Sequence, residues 1–228
     1  MSDDNNQLIS KSGNFKKGYQ WRIWKIIAEL VNGFELISEF DFNKTITVWG
    51  SARIGKKEKV YEKIEKFGKL AVENGYIIVT GGGGGIMEAA NKGAFQANGK
   101  SIGLNIKLPR EQVLNEYVTS SVEFRYFFVR KMMLSFISRH YLFAPGGFGT
   151  FDELFEILTL AQTKKIGRKV NIILIDKKFW QPILKQIEEV MIKKYKTISR
   201  EDLNIIQLID TAEEAMNIII NSNKKLNS

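Results

Sequence analysis

Arg130 is the side chain that most needs a chemical reason. It lies in "EFRYFFVRKMMLSFIS", three residues after Phe127 and four before Leu134, with Ile137 seven beyond. That spacing puts it on the most apolar face of a helix, where an unpaired cation costs several kcal/mol. It therefore requires a carboxylate or a bound anion, whereas Arg125, near the helix start, needs only solvent. The second feature is "PGGFGTFDE", Pro145 to Glu153. Pro145 ends an apolar run, and Gly146, Gly147 and Gly149 free the backbone to turn its amides toward one point. Thr150 adds a hydroxyl at the positive end of a helix, so the segment reads as a phosphate seat. Asp152 and Glu153 follow at once, although they should repel phosphate. A plainer reading competes: Thr150 and Glu153 match the T-x-x-E capping box, and Asp152 suits the first turn of any helix.

A second glycine run, Gly81 to Gly85, follows "GYIIVT" and precedes "IMEAANKGAFQAN", again a place where amides hold anions. Neither familiar nucleotide motif is present. The dinucleotide fingerprint counted from Gly81 fails at Ile86, and a Walker loop ending in "GKS" at Gly99 would need glycine where Ala94 stands. Alone, this loop fits a tight turn with close helix–sheet contact as well as it fits a nucleotide. His140 is the single histidine, and with no partnered base in view it is read as structural. The absence of cysteine rules out a thiolate nucleophile, a disulfide framework and cysteine-bound zinc.

These residues need a scaffold, and the pattern along the chain supplies one. Residues 1 to about 18 read as a loose polar arm. Trp21, Trp24, Ile27, Val31 and Phe34 then mark an amphipathic helix reaching Phe40. Short β-rich runs ("TITVWGS", "GYIIVT", "KSIGLNI", "YVTSSVEF", "YLFAP", "VNIILID", "NIIQLID") alternate with helical stretches. This predicts an α/β fold: an open, mostly parallel, Rossmann-like sheet with helices on both faces, plus an N-terminal helical extension. The division expected is 1–40 for arm and helix and 41–228 for a single nucleotide-binding domain. Both glycine loops fall at the carboxyl ends of strands, where such sheets bind ligands.

The net charge is +9, yet only 8 of the 34 basic residues are arginine and the lysines are scattered. That distribution argues against a nucleic-acid surface and for attraction of a small anion. No run of about 18 apolar residues is present, and "MSDDNNQLIS" is unlike a signal peptide. A soluble, cytoplasmic protein without membrane contact is expected.

Together "GSAR", "GGGGGIMEAANKGA", "RKMML" and "PGGFGTFDE" resemble the LONELY GUY (LOG) family of nucleotide phosphoribohydrolases, many of which are labelled possible lysine decarboxylases. The resemblance covers most of residues 45 to 195, and "WRIWKIIAELVNGFE" is similar to the extension of longer bacterial members. It implies hydrolysis of the N-glycosidic bond of a nucleoside 5′-monophosphate, AMP or an N6-prenylated analogue, to free base and ribose 5-phosphate. By the same resemblance Arg130 and Glu153 are catalytic, with Arg130 keeping Glu153 ionised. Substrate contacts fall to Ser51, Arg53, Gly82, Gly83, Gly84, Gly85, Met87, Lys131, Gly146, Gly147, Gly149 and Thr150. No cofactor and no metal are implied, and a homodimer is. Glu88 stands where many compact members carry glycine, a difference that bears on base selectivity. The decarboxylase label would need a lysine bearing pyridoxal phosphate, and no lysine stands out for that role. The alternative is a non-catalytic nucleotide carrier or sensor of the same fold.

Overall fold

The computed structural model describes residues 4–107 and 113–224. Seven strands form one sheet: β1 Thr45–Trp49, β2 Ile77–Thr80, β3 Ser101–Ile106, β4 Ser120–Phe124, β5 His140–Phe143, β6 Asn171–Ile175 and β7 Ile206–Ile209. Their order is β4-β3-β2-β1-β5-β6-β7, and every pair is parallel. The inner strands "TITVW", "HYLF" and "NIILI" are buried along their whole length. Continuous β-branched and apolar runs of this kind need cover on both faces.

The helices provide it. On one face α2 (Lys59–Glu73), α3 (Ile86–Gln96) and α8 (Ala212–Lys224) cover Ile46, Val48 and Ile173. On the other, α4 (Phe127–Phe136), α5 (Phe148–Gln162) and α6 (Lys177–Ile187) cover Val79, Leu104 and Leu174. A π-helical stretch, Glu188–Lys194, continues α6, and a short helix α7 spans Arg200–Leu203. Helix α1 runs from Asp4 to Ser38 and lays Ile26, Leu30 and Ile37 on the second core. The expected loose arm is thus helical from Asp4. Its segment holds no proline, so nothing in it removes a helical N–H. Among the described residues no helix is long and apolar enough to cross a membrane.

Chain direction reverses across the sheet between β1 and β5. From β1 the chain steps outward through β2, β3 and β4, then returns to place β5 on β1's other side, with Trp49 opposite Phe143. The loops leaving β1 and β5 diverge there and open a crevice at the strands' carboxyl ends.

Candidate active site

Three loops meet at that crevice, and Ser51 joins them. Its N–H donates to the Pro145 carbonyl at 3.0 Å, and its own carbonyl accepts the Ile86 N–H at 3.0 Å. Its hydroxyl accepts the Arg53 N–H at 3.1 Å. The loops after β1, β2 and β5 are therefore fixed side by side. Between them lies a cleft of about 980 Å³ walled by the β1 loop, the start of α5, and side chains of α3 and α4.

Helix α5 begins at Phe148 with Gly147 as its N-cap, and no side chain caps it. The amides of Thr150 and Phe151 already donate to the Gly147 carbonyl, at 3.0 and 3.1 Å. Those of Phe148 and Gly149 head the helix, where no intrahelical partner exists. Thr150 is buried and packs its side chain onto Gly146, leaving no space for a β-carbon there. The capping-box alternative fails for this reason: glycine takes the cap, the helix starts before Thr150, and Glu153 sits in the second turn, released from capping duty.

Glu153 is only 5% exposed, and its Oε2 is buried without a hydrogen-bond donor among the described residues. Burial pushes its carboxyl up to about 7; Lys131 pulls it down, Glu156 adds to the rise, and Arg130 opposes it. Arg130 lines the same cleft from α4. Its Nε donates to the Leu104 carbonyl within β3, 2.7 Å away. Burial lowers its pKa, partly offset by the charge of Glu153. Among the described residues no ion pair joins these two side chains. The expectation that Arg130 keeps Glu153 ionised needs correction, because desolvation outweighs the cation and leaves the carboxyl poised near neutrality.

Of the residues named from sequence, Ser51, Arg53, Met87, Arg130, Gly147, Gly149, Thr150 and Glu153 line the cleft. Lys131 does not. One residue round the helix from Arg130, a turn of about 100°, it meets Asp152 at 2.7 Å and Glu156 at 2.8 Å. Gly82 to Gly85 also lie behind the wall. Asn115 holds the carbonyls of Gly82 and Gly83 through its side-chain amide, at 3.1 and 2.9 Å. Gly82 (φ +74°) and Gly85 (φ +63°) occupy left-handed backbone, and Gly85 lies against the Ser51–Ala52 backbone. Gly81, which the sequence marked as the start of the run but not as a site residue, leaves the space filled by the Arg130 guanidinium. Also missed were the aromatic walls Trp49, Phe127, Phe151 and Phe155, and Phe148, which is 96% exposed. For Phe148 the signal was present, a large apolar residue between two loop glycines.

Fold and site together define a Rossmann-like protein with a cleft at its switch point, built from glycine loops, two arginines and one buried carboxylate. The family model described as "Possible lysine decarboxylase" matches residues 87–219. The chain belongs to that family. A relative from Oryza sativa subsp. japonica, named cytokinin riboside 5′-monophosphate phosphoribohydrolase LOG, is 29% identical over 176 residues, spanning 76% of this chain and 71% of that one. A Rhodococcoides fascians protein named cytokinin riboside 5′-monophosphate phosphoribohydrolase is 24% identical over 160 residues, 68% of this chain and 79% of its own. Among solved structures, the molybdenum cofactor binding protein of Rippkaea orientalis superposes with a TM-score of 0.57 at 19% identity, covering 78% of this chain and 94% of that one. At that identity the likeness is one of fold.

Proposed function

We propose that the protein hydrolyses the N-glycosidic bond of a purine nucleoside 5′-monophosphate, AMP or an N6-substituted AMP, giving the free base and ribose 5-phosphate. The observation that carries this is Glu153: a buried carboxylate with an unpartnered oxygen, facing a cleft it shares with Arg130 and the head of α5. The 5′-phosphate is assigned to the amides at the head of α5, with Ser51 and Arg53 beside it. The ribose then lies between phosphate and carboxylate, so the two negative groups need not meet. As the bond from C1′ to the base nitrogen breaks, its electron pair leaves with the base and positive charge grows on the sugar. Ionised Glu153 stabilises that charge and takes a proton from the attacking water, whose oxygen bonds to C1′. The proton returns to the departing base, so the balance is one water consumed per bond broken. Arg130, pinned by Leu104, holds the sugar in place.

Chromatography of a nucleoside monophosphate panel tests this. Free adenine should appear from AMP or its N6-prenyl analogue, and Glu153→Ala should lower turnover by about a hundredfold or more. Release of no base from any purine or pyrimidine monophosphate would remove the proposal. The carrier reading instead expects binding without turnover, and it gives no use to a carboxylate buried at this cost.

A further inference from the structure

Helix α4 carries Arg130, yet nothing in its own sequence caps its start. Its N-cap is Tyr126, which offers no side-chain acceptor to the first turn. A carboxylate from about a hundred residues earlier in the chain instead holds the N-cap and the residue before it. Glu29, on α1, accepts the Arg125 N–H at 3.0 Å through Oε1 and the Tyr126 N–H at 3.2 Å through Oε2. A carboxylate there is favoured twice, by satisfying amides that lack partners and by the positive end of the helix dipole. The contact continues along the helix. Gly33 packs directly on Met133, whose thioether a β-carbon there would meet, and Phe34 meets Phe136 edge-on at 6.1 Å. Four residues past Tyr126, Arg130 reaches the Leu104 carbonyl, the sole hydrogen bond fixing its guanidinium among the described residues.

We infer that Glu29 is a positioning residue for the reaction, and that α1 belongs to the catalytic apparatus by setting where α4 delivers Arg130. This rests on the hydrolase reading above. The carboxylate touches no substrate; it fixes the end of a ten-residue helix whose fourth residue enters the cleft. Displacement of a reacting group by an ångström is enough to slow chemistry by one or two orders of magnitude. Glu29 therefore acts on kcat more than on KM.

The test measures kcat and KM for AMP hydrolysis by the full chain, by Glu29→Gln and by Glu29→Ala, each also combined with Arg130→Lys. Glu29→Ala should lower kcat about tenfold, while Glu29→Gln, which keeps one acceptor oxygen, recovers part of the loss. In the Arg130→Lys background Glu29→Ala should add less than about a twofold change, because both act through one group. A lowered melting temperature with kcat intact, or a full tenfold loss added to Arg130→Lys, would overturn the inference. The Arg130 Nε–H resonance gives a readout independent of turnover: it should shift in Glu29→Ala, and an unmoved resonance overturns the inference too. A protein that releases no base at all removes the hydrolase reading, and the resonance then decides alone whether Glu29 places Arg130.

Discussion

Glu153 receives opposing instructions from its neighbours. Burial favours the neutral acid, Lys131 and Arg130 favour the anion, and the result lies at about 7. A group that must be ionised to accept a proton from water will then gate the rate near neutrality. We expect kcat/KM for AMP to rise with pH through about 7 and then level. Removing the cation by Lys131→Met should move that limb to higher pH, because Asp152 and Glu156 would lose their shared partner as well. The rate at pH 7 should fall several-fold, with recovery at pH 9. A pH–rate profile that is flat, or that Lys131→Met leaves in place, would show that Glu153 is not the titrating base. Arg130 was legible in the sequence because a cation on an apolar face is a conflict that a one-dimensional pattern exposes. The direction of Lys131 was not. It depends on where α5 places Asp152 and Glu156, which no spacing within α4 records.

Among the structural elements, the two glycine loops divide the work in a way their sequences conceal. Both follow strands and both precede helices, so spacing alone treats them alike. The loop after β5 faces the cleft, with Gly147 and Gly149 exposed and no atoms near where their β-carbons would stand. The loop after β2 acts from behind, holding left-handed backbone at Gly82 and Gly85 and clearing a space at Gly81 for the Arg130 guanidinium. Gly81→Ala should therefore displace Arg130 and lower kcat by about tenfold or more with the fold kept. Gly85→Ala should instead lower stability by at least about 1–2 kcal/mol, since the left-handed conformation alone costs that much. Gly149→Ala should fold normally. Kinetics and thermal melts on the three variants separate the roles; equal kinetic losses at Gly81 and Gly149 would refute the division. Alternating β-rich and helical runs made the sheet and its two covered faces readable from sequence. The start of α5 stayed open between a phosphate seat and a cap because a local T-x-x-E pattern matches a cap, while the choice of Gly147 depends on how Pro145 leaves the sheet beside Ser51.

For the whole molecule, the opposite ends of β5 carry titrations of opposite sign. Glu153 lies beyond the carboxyl end. Its folded pKa of about 7 exceeds the ordinary 4.5, so the native state binds the extra proton and stability is lost as pH rises through 7. His140 begins the strand, fully buried, with Nδ1 against the Asn171 side chain at 2.8 Å and, among the described residues, no partner at Nε2. Burial first, then the nearby charge of Arg139, depresses its pKa from 6.5 to about 4. Here the unfolded state binds the extra proton, and stability is lost as pH falls from 6.5 toward 4. Each shift corresponds to about 3 kcal/mol, and between roughly pH 4.5 and 6.5 the two slopes oppose each other. Each substitution should expose the other's slope. Relative to the parent protein, Glu153→Gln should gain stability progressively from pH 5 to 8, while losing activity. His140→Gln, which keeps an acceptor for Asn171, should lose less stability than the parent between pH 6.5 and 4. Denaturant melts across that range measure both differences. Parallel curves for parent and Glu153→Gln would mean that the carboxyl is not raised, and the poised base at the centre of the proposed hydrolysis would be lost with it.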